Sequence, residues 1–258
     1  MAPPLVTDAI VLHAFDYLES SRILKLVTRD GGVRSVLARG ARNSKRRFGS
    51  ALDLFAQGTA ELQAKPGRDL DTLSGFEVSR ARPQLAGHLA RFAGAATIAE
   101  LTLRFARDVA DPGLYDAVAD ALDAIAAAAP ERAPDATLAG AWRILGELGL
   151  APTIDSCAEC HAAVDVDDDA VFSHPAGGVV CARCAHLARG GRSLPASARS
   201  ALREWLGGVA HPLGDPAEIR AHQRLLREFL REHLADDRPL TAFDVWEHAA
   251  WATAGAGA

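Results

Sequence analysis

Arg22-Ile-Leu-Lys-Leu-Val-Thr28, Arg29-Asp-Gly-Gly32 and Val33-Arg-Ser-Val-Leu-Ala38 follow one another without a break. The two outer runs are short, rich in Val, Ile and Leu, and bounded by turn residues, which suits strands better than helices. Arg29-Asp30-Gly31-Gly32 joins them as a hairpin, because its glycines supply the positive φ angles that a tight turn requires. Residues 6–15, just upstream, have the same composition. Downstream, residues 58–64 and 70–78 read as a further strand pair around Lys65-Pro66-Gly67-Arg68-Asp69.

Five short strands within some 80 residues fit a small Greek-key barrel of the OB type, a scaffold that commonly binds single-stranded nucleic acid. The connection after the third strand carries charge. Arg34, Arg39, Arg42, Lys45, Arg46 and Arg47 fall within 14 positions, and no acid occurs between Asp30 and Asp53. Gly40, Asn43, Ser44 and Gly49 give that stretch loop character. Such cations can follow a phosphate backbone, and Phe48 beside them could stack a base. The competing reading is a solvated basic loop with Phe48 as its anchor on the barrel, and for Phe48 itself the anchor is favoured.

Charge divides the chain. Its formal net charge is -5. Residues 1–80 hold 12 Lys or Arg against 9 Asp or Glu, a net of +3, which leaves -8 for the remaining 178 residues. A basic N-terminal module is thus joined to an acidic C-terminal one. From Arg82 onward the pattern becomes helical. A helix is expected over residues 85–109; Leu114, Ala117, Val118, Ala121, Leu122 and Ile125 mark one face of a second, and Leu138, Trp142, Leu145 and Leu148 one face of a third. Residues 195–206 form another, with Leu202, Trp205 and Leu206 inside. Asp215-Pro216-Ala217-Glu218 starts a helix as cap, N1 proline and capping acid. Trp142 and Trp205 read as core. The tail, with Trp246 and Trp251, is either a frayed end or a short docking helix, and its last residues look disordered.

The only cysteines are two pairs, Cys157-Ala-Glu-Cys160 and Cys181-Ala-Arg-Cys184. Two residues between partners let both sulfurs turn onto one ion, and the spacer of 20 residues suits a structural zinc module. Four sulfurs close a tetrahedral shell, so this zinc would hold structure and leave no position for a catalytic water. Two disulfides, or four free thiols, are the rivals. His161, His174 and His186 lie near enough to substitute for a cysteine, but read more simply as solvated or neighbouring side chains. Asp155, Glu159, Asp165, Asp167, Asp168 and Asp169 surround the pairs and make the knuckle a poor phosphate binder; it reads as a staple or a protein docking surface.

The N-terminus lacks a signal-peptide pattern, and no apolar run approaches the length of a membrane span. A cytoplasmic protein is expected, which favours metal over disulfides. No Walker loop, nucleophile elbow or H-E-x-x-H motif occurs, so the chain reads as a binding protein without catalytic residues or a small-molecule substrate.

Across this frame the chain resembles the bacterial recombination mediator family RecO. The barrel contributes Ile10-Val11-Leu12, Tyr17-x-Glu19, Leu26-x-Thr28-x-x-x-Gly32, and Arg39-Gly40-Ala41-Arg42 followed by Lys45-Arg46. The helical half contributes Leu145-x-x-Leu148-Gly149-x-x-Pro152, both cysteine pairs with Gly177-Gly178 before Cys181, and Phe229-Leu230-x-x-His233-Leu234 before Arg238-Pro239-Leu240. The resemblance implies an α+β protein: a five-stranded OB-fold barrel (residues 1–80), an α-helical domain (81–242) with an inserted four-cysteine zinc segment (153–190), and a partly disordered tail (243–258). It also implies binding of single- and double-stranded DNA, strand annealing, and help in loading the RecA recombinase onto DNA coated by single-stranded-DNA-binding protein. RecR and the coating protein's acidic tail would be partners, and one zinc ion the cofactor. An RNA-binding or transcription-associated protein on the same barrel is the alternative, and a metal hydrolase, which needs an open metal site, is the third.

Overall fold

The computed structural model describes residues 3–41, 52–64, 70–188, 190–233 and 238–252, with side chains as far as 248 in the last stretch. The N-terminal third is a closed barrel of β1 (Leu5–Tyr17), β2 (Ser21–Thr28), β3 (Gly32–Ala38), β4 (Gln57–Gln63) and β5 (Asp71–Arg80), in the order β1-β2-β3-β5-β4. Neighbours are antiparallel except β3 and β5, which close the barrel in parallel. The five strands stand where composition and turn residues suggested. Ala9, Val11, Leu24, Leu26, Val36, Ala38, Ala60, Leu62, Leu73 and Phe76 fill its interior.

β1 is long enough to pair twice, through residues 5–10 with β4 and 9–17 with β2. A bulge between Val11 and His13 bends it between these partners. Ile10 and Leu12 leave the barrel core and join the core of the helical body.

Four helices follow: α1 (Pro83–Ala86), α2 (Leu89–Phe105), α3 (Pro112–Ala127) and α4 (Ala133–Glu147). The helix expected over residues 85–109 is interrupted at Gly87 and His88 and ends early. His88 is extended and its Nδ1 accepts the amide of Ala90 at 3.2 Å, so it caps a new helix. Histidine is not a favoured cap by type, and the break was hidden for that reason. α5 (Ala196–Leu206), α6 (Pro216–His233) and α7 (Thr241–Ala252) complete the body. Asp215 caps α6 through the amide of Ala217 at 2.7 Å. Trp142 and Trp205 are wholly buried, Trp142 against Phe229 with ring centroids 5.3 Å apart.

The segment after residue 240 is a docked helix where a frayed end was the other expectation. Phe243 and Trp246 of α7 are buried, the amide of Phe243 donates to Glu100 on α2 at 3.0 Å, and Thr97 donates to the carbonyl of Ala242 at 3.2 Å. Residues 254–258, expected to be disordered, lie outside the described residues.

Barrel and body meet along a polar seam around an apolar centre. Arg29 forks onto Asp116 of α3 and lies over the ring of Tyr115, 4.6 Å from its centroid. Arg29 thereby holds the Asp116 carboxyl below its ordinary value. Gly32 serves the hairpin and the seam together: its φ is +68°, and a Cβ there would fall 2.4 Å from the carbonyl oxygen of Val109 and 2.5 Å from that of Arg107. Gly32→Ala must therefore part the two modules, with an expected loss of about 1–3 kcal/mol in chemical denaturation. A loss within about 0.5 kcal/mol, the range of ordinary surface substitutions, would mean that the seam yields without cost.

Two buried titratable groups give the body opposing pH responses. His222, packed edge-on to Trp205 at 4.8 Å, is held down at about 4 by burial and secondarily by His211. Asp135 is pushed up to about 6 by burial, against the attraction of Arg132. His222 binds its proton more weakly when folded, so its contribution is full above pH 6.5 and lost as pH falls toward 4, on the order of 3 kcal/mol. Asp135 binds its proton more tightly when folded, so its contribution is full below about pH 4 and lost as pH rises toward 6. The wild-type profile should be shallow over this window. His222→Leu should expose the Asp135 trend, with denaturation midpoints falling from pH 4 to 6; an unchanged profile would contradict this assignment.

Candidate nucleic-acid interface and metal centre

After α4 the chain builds a three-stranded sheet, β6 (Ala170–Ser173), β7 (Gly178–Val180) and β8 (Arg192–Leu194), in the order β7-β6-β8. Two turns beside it carry the cysteines. In the first, His161 donates its amide to the carbonyl of Cys157 at 2.8 Å, with His161 at φ +59°. In the second, Cys184 donates to the carbonyl of Cys181 at 2.9 Å. Ala158 is bonded to the carbonyl of Val179 at 2.8 Å, which ties the first turn to β7. Thr153, just before the first turn, also lies against β7, and Gly178 permits that approach: a Cβ there would lie 2.2 Å from the carbonyl oxygen of Thr153.

The four sulfurs lie within 4.8 Å of one another, and those of Cys160 and Cys181 are 3.8 Å apart. A tetrahedral ion with metal–sulfur bonds of about 2.3 Å requires sulfurs about 3.8 Å apart. The four are free thiols, not disulfides. Cys157 is buried, which favours its neutral form, yet the amides of Cys160, Cys181 and Glu159 win and bring it down to about 6. Cys184, crowded first by Cys160 and then by burial, is pushed up to about 12. Four thiolates cannot share this space without a cation, and the donor set fits a metal ion. His186 bonds the carbonyl of Arg183 and His174 lies 3.0 Å from the Glu228 carboxylate, while His161 is exposed; none joins the sulfur cluster.

The acids around the knuckle bind the segment to the helical body. Asp155 pairs with Arg203 of α5 at 2.7 Å, the carbonyl of Asp165 accepts from Arg199, and Asp169 caps α5 through the amide of Ala196 at 3.0 Å. Beneath them Phe172 lies 6.1 Å from the ring of Phe229 on α6. Ile154, Ala170, Val179 and Leu194 enter the same core. The segment is thus more apolar inside than its composition suggested, because it borrows its core from the body.

On the barrel, Arg34 is half-buried and its Nε donates to the carbonyl of Gly31 at 2.8 Å, while its guanidinium lies 3.9 Å from Asp71. It braces the hairpin. Arg39 is exposed in the turn after β3. Arg42, Lys45, Arg46, Arg47 and Phe48 lie outside the described residues. Ala41 and Leu52, the described residues on either side of that stretch, both pack on the barrel core. A cleft of about 770 Å³ opens near Leu52, between barrel and body, with Phe15, Arg22, Leu54, Arg82 and Phe92 among its walls. Periodicity gave no sign of it, since its walls come from five separate segments. Among the described residues no helix is long and apolar enough to cross a membrane.

Two family models cover most of the sequence. The one described as Recombination protein O N terminal matches residues 1–82, and the one described as Recombination protein O C terminal matches residues 87–241. The chain is 38% identical over 233 residues to the DNA repair protein RecO of Anaeromyxobacter sp. (strain K), covering 87% of this chain and 89% of that one. It is 34% identical over 234 residues to the DNA repair protein RecO of Myxococcus xanthus, covering 88% and 91%. With the protein of that name from Rubrobacter xylanophilus the identity is 31% over 239 residues, covering 89% and 90%.

Proposed function

The chain belongs to the recombination protein O (RecO) family, and from that premise we propose that it is a non-enzymatic mediator of DNA repair and homologous recombination. It binds single- and double-stranded DNA, anneals complementary strands, and with RecR helps load RecA onto DNA coated by single-stranded-DNA-binding protein. The mechanism is electrostatic. Cations following β3 neutralise phosphates on two strands, which lowers their repulsion and lets the bases pair. The helical body recruits the protein partners, and a single zinc ion on Cys157, Cys160, Cys181 and Cys184 holds the knuckle against that body. The protein works in the cytoplasm, on the nucleoid.

The observation that supports this reading most directly is the run of cations from Arg39 to Arg47, which falls in sequence between β3 and β4 of a barrel matched by the family's N-terminal model. The test is the annealing rate of complementary DNA strands, both precoated with the cognate coating protein, without nucleotide. The chain should accelerate it, and replacing Arg42, Lys45 and Arg46 by Ala should weaken the effect. Single-strand affinity should fall with log salt at a slope of about 0.7 per phosphate contact, and the slope should shrink in the variant. Unchanged slope and rate would remove these cations from the interface.

A further inference from the structure

The bulge in β1 has a consequence for the barrel surface. Beyond it, His13, Phe15 and Tyr17 are all exposed, Phe15 and Tyr17 at 42% each. Residues two apart on a strand share a face at a spacing of about 6.5–7 Å. The rings of His13 and Phe15 lie 5.9 Å apart at 63°, an edge contact that holds both upright. β2 and β3 extend the face sideways. His13 pairs with Lys25 and Lys25 with Ser35; Phe15 pairs with Ile23 and Ile23 with Leu37. Lys25 is exposed, and Ile23, Ser35 and Leu37 are partly so.

Charge on this face is cationic. Lys25 stands beside the aromatic row, and Arg39 is exposed one residue past the end of β3, where the basic run begins. Asp16, at the same end of β1, is held by Arg22 at 3.1 Å, and Glu19 lies beyond Tyr17 in the turn to β2. An aromatic row on a sheet, with Lys25 beside it and Arg39 just past the end of β3, suits successive unpaired bases with their phosphates to one side. A duplex hides the faces of its bases and gains nothing from such rings.

We propose that His13, Phe15 and Tyr17 on the outer face of β1–β2–β3 are a stacking platform for single-stranded nucleic acid, on which the chain distinguishes single strands from duplex. This rests on the reading of the chain as a DNA binder. The platform and the basic run divide the work: the run contacts phosphates of either form, and the rings hold bases exposed only in single strands.

The experiment compares the full chain with Phe15→Ala, Tyr17→Ala and the double variant, using a fluorescein-labelled oligothymidine strand and a duplex of equal length at several salt concentrations. Each alanine should weaken single-strand binding by about 5- to 150-fold, with the salt slope and duplex affinity unchanged, and Tyr17→Phe should bind as wild type does. Both residues are 42% exposed, so melting should change little. Undiminished single-strand affinity in the double variant, or an equal loss on duplex, overturns the platform while leaving DNA binding in place. If the face is instead covered by a second copy of the chain, sedimentation will show a dimer that the variants dissociate without a change in DNA affinity, which also overturns it. Wild type that binds neither probe overturns the DNA-binding reading itself, and the platform with it.

Discussion

Replacing Arg82 by Met should cost about 3–5 kcal/mol of stability, the penalty for breaking a buried charged network by removing one partner. The Arg82 side chain is only 2% exposed at the junction of barrel and body. Its Nε donates to Asp123 of α3 at 2.7 Å, Nη1 to the carbonyl of Phe55 at 2.9 Å, and Nη2 to Gln57 Oε1 at 2.7 Å and the carbonyl of Ala119 at 3.4 Å. One guanidinium thus ties the segment entering β4 to α3. Phe55 sits at φ +67°, a left-handed conformation costing roughly 1–2 kcal/mol for a residue with a side chain. The bond from Arg82, with the amide of Phe55 donating to Val11 at 2.7 Å, holds it there. Methionine keeps much of the bulk but leaves two carbonyls and a side-chain amide without their donor. Arg80 still reaches Asp123, so the carboxylate is not the main loss. Lysine should rescue little, because its single ammonium cannot reproduce the fork. The checks are chemical denaturation and protease susceptibility of the seam; a loss under about 1 kcal/mol would show that the apolar contacts of Ile10, Leu12 and Phe55 hold the modules without it.

Removing the metal should destabilise the body more broadly. Cys157→Ser with Cys160→Ser should abolish zinc binding, which wild type should show at one ion per chain, and should lower stability by about 5 kcal/mol, on the order of 10 °C in melting temperature. Structural zinc in isolated finger peptides is worth about 10–16 kcal/mol, and a part of that suffices against a total of about 5–15 kcal/mol for an ordinary domain. The loss should spread, because the knuckle caps α5 through Asp169 and places Phe172 against Phe229 of α6. Nucleic-acid affinity, which the proposed function assigns to the barrel, should fall later than melting temperature. Metal-free wild type that melts unchanged would make the four thiols a relic.

What the sequence determined by itself was local. Strands followed from short Val, Ile and Leu runs between turns, the hairpin from Gly31-Gly32, and the start of α6 from Asp215-Pro216, since each rests on interactions within a few residues. The thiol cluster was legible for the same reason: two residues between ligands fix a chelate, and only the approach of the two pairs needed the fold. The cation run was visible as composition, although most of it lies outside the described residues. Tertiary structure alone decided the rest. Arg34 has the residue type of a phosphate ligand but braces Gly31 and Asp71, because the hairpin closes around it. Arg82 became the tie of the seam because α3 passes over the barrel, and the tail became a helix because α2 offered a place for Phe243 and Trp246. The outer aromatic row was hidden by parity. Simple alternation from Ile10 and Leu12 assigns Ala14 and Asp16 to the outer face, but the bulge between Val11 and His13 moves that face to His13, Phe15 and Tyr17. A bulge forms where one strand must serve two partners, and that demand exists only once the barrel is closed.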